Sequence, residues 1–100
     1  MREISINKII EAVKNMCISA NCNLPRDVQE ALEKALETEN SQTGKEIIKQ
    51  ILDNDRIAQN EKIPMCQDTG FTVVFIEVGQ DVHITGGSLA DAVNEGVRKG

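Results

Sequence analysis

Between residues 5 and 21 the apolar side chains Ile6, Ile9, Ile10, Val13, Met16, Cys17 and Ala20 recur at intervals of three and four. That is the period of an amphipathic helix with one buried face. Asn21, Asn23 and Pro25 break the pattern. Pro25 suits the first turn of a following helix, where the amide proton it lacks is not needed. The spacing predicts this second helix over residues 25–38, with Val28, Ala31, Leu32 and Ala35 as a narrow apolar stripe. On its solvated side Glu30 precedes Lys34 by one turn, an ordinary surface pairing. Residues 39–44 are polar and read as a loop, and Thr43 with Glu46 has the spacing of a capping box. A third helix is therefore expected over residues 43–59, burying Ile47, Ile48, Ile51, Leu52 and Ala58 and leaving Asp53, Asp55 and Arg56 on the wetter side or its edge.

The pattern changes after residue 70. Residues 71–78, Phe-Thr-Val-Val-Phe-Ile-Glu-Val, are rich in β-branched and aromatic side chains on both alternating faces. They read as a strand covered on both sides. Gly79-Gln80-Asp81 supplies a turn, and Val82-His83-Ile84 is expected to be a second short strand or an extended segment able to pair with the first. Gly86-Gly87-Ser88 opens a final helix over residues 88–99, with Ser88 as cap, Asp91 at capping-box spacing, and Leu89, Ala92, Val93 and Val97 on its apolar side. Paired glycines before a helix can cradle an anion, although such a pair alone does not specify one. The fold class expected is α+β: an N-terminal three-helix region, a short β-sheet or hairpin, and a C-terminal helix, within one domain over residues 1–100.

Composition narrows the function. Of the 100 residues, 40% are apolar and 27% charged, with two Phe and no Trp or Tyr, which suits a soluble protein with an aliphatic core. The net charge of −5 and the scarcity of aromatic rings argue against nucleic acid and anionic membrane as partners. With no long apolar run and no secretion-signal pattern at its N-terminus, the chain is expected to be cytoplasmic. Three cysteines in that setting imply thiols rather than a disulfide framework. Cys17 and Cys22 lack the companion ligands of a zinc site and read as structural. His83, the only histidine, falls in an alternating Val-His-Ile run and reads as the outer face of a strand, not as an acid or base.

The chemistry is concentrated in residues 63–70, Ile-Pro-Met-Cys-Gln-Asp-Thr-Gly. Pro64 biases the preceding residue toward extended backbone, and Gly70 can adopt positive φ and allow close approach to a ligand. Between them stand a thiol, an amide, a carboxylate and a hydroxyl. Taken alone, a Cys in a polar turn is ordinary. The run from Pro64 to Gly70, however, closely resembles the P-[IM]-C-Q-D-T-G signature of the iron-sulfur hydro-lyases, the class I fumarate hydratases and the α subunits of two-subunit fumarases and tartrate dehydratases. Looser similarity extends from Met-Arg-Glu-Ile-Ser at the N-terminus through Gly44-Lys45-Glu46-Ile47-Ile48 to Gly-Gly-Ser-Leu and Asn-Glu-Gly-Val-Arg.

The resemblance implies a 4Fe-4S enzyme that interconverts fumarate and malate by reversible hydration, with tartrate dehydration as the alternative. Cys66 would be one of three cysteine ligands of the cluster; Gln67 and Asp68 would bind the small dicarboxylate, and Asp68 would take part in catalysis. Thiolate is the preferred protein ligand of such clusters, and amide and carboxylate groups can orient carboxylates, hydroxyls and water. In that family the remaining cluster cysteines follow the signature, whereas Cys17 and Cys22 precede it. The chain is therefore expected to be the N-terminal fragment of a longer α subunit, inactive alone and partnered by the rest of that subunit and a β subunit. A non-catalytic helical interaction module is the competing reading.

Overall fold

The structure, a computed structural model, describes residues 2–66 and 70–100. Its elements are β1 (Arg2–Ser5), α1 (Ile6–Cys22), α2 (Arg26–Thr38), α3 (Gln42–Glu61), β2 (Val82–Thr85) and α4 (Leu89–Lys99). This is the expected α+β class, with three helices, a two-stranded sheet and a C-terminal helix. The chain divides into two compact units, residues 1–18 with 70–100, and residues 19–69.

In the first unit β1 and β2 pair in parallel, Arg2 opposite Val82 and Ser5 opposite Thr85. Parallel neighbours require a long crossover, here supplied by all the residues between them. The Arg2 amide donates to the Asp81 carbonyl at 2.8 Å and extends the ladder by one bond. Ser5 ends the strand and accepts the Asn7 amide on its Oγ at 3.2 Å, which starts α1. Gly86, at φ 93°, and Gly87 lie against the Ile6 side chain; a Cβ at Gly87 would come within 3.1 Å of Ile6 Cδ1. Their small size is thus used for packing.

Ser88 caps α4 by accepting the Asp91 amide at 3.1 Å. The helix then presents Ala92 and Gly96, both buried, one turn apart. A Cβ on Gly96 would stand 2.6 Å from Val13 Cβ and 2.9 Å from the Ile10 carbonyl oxygen, so only glycine permits this approach to α1. At the helix end, the Arg98 guanidinium hydrogen-bonds Glu95 and holds its carboxyl below the usual carboxylate range, a solvent-exposed surface pairing.

The second unit centres on α2 packed against α3. Pro25 is the N-cap residue of α2, and Glu30 pairs with Arg26 at 3.0 Å, not with Lys34. The cap of α3 is Ser41, whose Oγ accepts the Gly44 amide, so the helix begins before Thr43 and the expected capping box is not the one used. Ile47 and Ile51 are exposed, at 52% and 43%, whereas Asp55, expected on the wetter side or its edge, is 2% exposed.

The largest difference concerns residues 71–78. They are not a strand: residues 70–79 carry no regular secondary structure, and Phe71 and Phe75 are 97% and 94% exposed. β propensity expresses a fit to neighbouring strands. The described ladder joins β1 to β2, so 71–78 has affinity for a sheet but no paired place in this one. His83 is exposed on β2, opposite Glu3, as expected for an outer-face residue.

Candidate functional site

The signature loop begins where α3 ends. Lys62 closes α3 in the left-handed conformation, φ 55°, and its amide bonds back to the Ala58 carbonyl. The Ile63 amide donates to the same carbonyl at 3.2 Å. Two donors on one oxygen terminate the helix sharply and turn the chain toward Pro64. Pro64 cannot continue a helix, and Met65 and Cys66 follow in a bend.

Met65 is held on both sides of its backbone. Its amide donates to the Asn21 carbonyl in the last turn of α1 at 2.8 Å, and its carbonyl accepts Asn54 Nδ2 from α3 at 2.9 Å. Cys66, the next residue, is exposed. The loop therefore brings an exposed cysteine next to a residue tethered through both of its flanking peptide units. Gly70, at φ 63°, adopts the left-handed backbone that its place at the end of the signature suggested. Gln67 and Asp68, the expected substrate-binding and catalytic residues, lie outside the described residues, as does Thr69.

Beside Asn54, Asp55 turns into the unit. Its Oδ1 accepts the Leu24 amide at 2.9 Å and its Oδ2 accepts Gln59 Nε2 at 3.1 Å. The first bond fixes the α1–α2 turn just beyond Asn21, whose carbonyl holds Met65. Consecutive residues on α3 thus anchor the two segments that meet at Met65. A shallow cleft of about 200 Å³ lies between α2 and α3, with Asp53, Asp55, Arg56 and Gln59 on its wall. Cys66 is not part of that wall.

Cys22 is buried and Cys17 half-buried on α1. Five residues along a helix turn the chain through roughly 500°, so the two side chains leave α1 in different directions. Among the described residues no group of three or more His, Cys, Asp or Glu side chains is placed to hold a metal ion. Donor chemistry at Cys66, a sulfur ligand on an exposed loop, fits one corner of an iron-sulfur cluster, while the described residues do not furnish the other corners.

Asn21, Asn54 and Asp55 were not singled out from the sequence as site-forming residues. The signal at Asp55 was its position: it falls three residues after Leu52 and three before Ala58, within the apolar stripe of α3. A charged residue on a buried stripe needs hydrogen-bond partners and so organises what surrounds it. Asn54 and Asn21 gave no such signal.

Residues 10–100 match the family described as Fumarate hydratase (Fumerase). The chain is similar to the putative L(+)-tartrate dehydratase subunit alpha of Methanocaldococcus jannaschii, 36% identical over 93 residues and 92% of this chain. It is also similar to the L(+)-tartrate dehydratase subunit alpha of Escherichia coli, 32% identical over 101 residues and 98% of this chain. Both alignments cover 33% of the relative, so the chain spans about one third of the length of the curated relatives it matches.

Proposed function

The chain belongs to the Fumerase family of fumarate hydratases, and from that premise we propose that it supplies the N-terminal part of the α subunit of a 4Fe-4S hydro-lyase that interconverts fumarate and malate. The observation carrying this reading is the Pro64–Gly70 signature, with an accessible Cys66 thiol beside the tethered Met65. In this reading Cys66, as thiolate, holds one corner of the cluster, further thiolates come from polypeptide beyond this chain, and a β subunit completes the enzyme. A bound cluster supplies Lewis acidity toward the hydroxyl and carboxylate oxygens of the substrate.

The remaining chemistry belongs to the loop. The Gln67 amide donates hydrogen bonds to a substrate carboxylate, and the Asp68 carboxylate accepts them from the water or hydroxyl being added or removed. In the hydration direction the water oxygen joins one olefinic carbon and a proton joins the other, which gives malate with no redox change. Tartrate is the second reading, favoured by the names of both relatives. It offers the same two carboxylates and a hydroxyl on the carbon that loses oxygen.

One signature thiolate does not hold a cluster, so this chain alone is expected neither to retain iron nor to turn over substrate. The test is the assembled enzyme, reconstituted anaerobically with iron and sulfide and assayed with fumarate, malate and L(+)-tartrate. Asp68→Asn should lower turnover about 100-fold with its iron content retained, the scale of a lost positioned acid-base group. Parallel loss of iron and turnover in that variant contradicts the substrate role.

A further inference from the structure

Cys66 is exposed and sits in a bend. The residue before it is fixed at both polar atoms of its backbone, by Asn21 at the amide and Asn54 at the carbonyl. Asn54 is exposed on α3 and makes this bond to a loop eleven positions on. The next residue, Asp55, is nine-tenths or more buried and spends one oxygen on the Leu24 amide, which holds the turn following Asn21. Two adjacent α3 side chains therefore act on the same residue, Asn54 directly at the Met65 carbonyl and Asp55 through the end of α1 that holds its amide.

We propose that Asn54 is a positioning residue for Cys66: by holding the Met65 carbonyl against α3, with the Met65 amide held by the end of α1, it restricts the directions in which the neighbouring thiol can be presented. Its significance for the hydro-lyase rests on the reading of Cys66 as a cluster ligand. The geometry itself does not use iron. A ligand held in place before its cluster arrives loses less freedom on binding than one on an untethered loop. The amide group of Asn54 matters for its donor, so Asn54→Asp, which keeps the shape and removes the donor, and Asn54→Ala, which adds no charge, should both release the loop.

The test uses the 100-residue chain without iron. Amide exchange at Met65 and Cys66 should accelerate about five- to tenfold in both variants, the factor that accompanies loss of one ordinary hydrogen bond, while amides within α2 and α3 keep their rates. In a Cys17→Ser background, a nitroxide attached to the exposed Cys66 thiol should show a narrower, more mobile spectrum once Asn54 is replaced. Unchanged exchange at Met65 together with an unchanged nitroxide spectrum overturns the proposal. Equal acceleration throughout α2 and α3 also overturns it, because Asn54 would then support the fold at large and not this loop. If Cys66→Ser retained iron in the assembled enzyme, the ligand reading would be lost while these measurements on the clamp still stood, so the two failures are told apart.

Discussion

At residue 55 the helical period and the chemistry of the side chain pull in opposite directions. The period places it on the apolar stripe of α3, and its carboxylate argues for water; the structure buries it and satisfies both oxygens, from Leu24 and Gln59. Period wins because burial is tolerable once hydrogen bonds replace hydration. Asp55→Ala removes both acceptors and leaves the Leu24 amide facing the vacated space, so it should cost about 2–4 kcal/mol in denaturant unfolding. Asp55→Asn should be milder, since the amide oxygen can still accept from Leu24 and Gln59 can turn its own oxygen toward the new donor. Equal losses for the two variants would contradict this account of the site. The thiol at Cys66 was legible from the signature, but its exposure and its tethered neighbour were not. Those depend on Asn21 and Asn54, polar residues whose role appears only when separate elements meet.

The helices were readable because each carries its information locally, as a repeating apolar stripe ended by Pro25, by the polar 39–44 loop or by the 86–88 turn. Ser88 was read correctly as a cap, whereas the choice of Ser41 over Thr43 turned on which hydroxyl met a helix-start amide. Of the strands, β2 was readable as the short segment expected over residues 82–84, but its partner was not. β1, Arg-Glu-Ile-Ser, has too little apolar pattern to announce itself, and it forms because its backbone finds β2 in parallel register. The strongly patterned run 71–78 remains outside the ladder for the complementary reason. Small residues on α4 carried a further signal, a close approach to α1 at Gly96. Gly96→Ala must displace Val13 or the α1 backbone at Ile10, so despite the better helix propensity of Ala it should destabilise the chain by about 1–3 kcal/mol. A rise in the thermal midpoint would show that the contact yields without strain.

Over the whole molecule, one compact unit joins the first eighteen residues to the last thirty-one, and the other is built from the stretch between them. Such nonlocal joins are invisible to periodicity, which is why the α+β class could be read while the parallel pairing could not. No described helix is long and apolar enough to cross a membrane. The exposed Phe71, Val73 and Phe75 form an apolar run that should bind a hydrophobic dye. Replacing Phe71 and Phe75 together by Ser should lower dye binding severalfold without changing helical content, and an unchanged signal would mean that the dye binds elsewhere. The central claim, that this family member contributes a cluster ligand through Cys66, is tested most directly by iron content in the assembled, anaerobically reconstituted hydro-lyase. Cys66→Ser should lose most of its iron together with turnover, while Cys17→Ser retains both, because a 4Fe-4S cluster with an open iron needs every one of its three thiolates. Full iron and full turnover in Cys66→Ser would contradict the account.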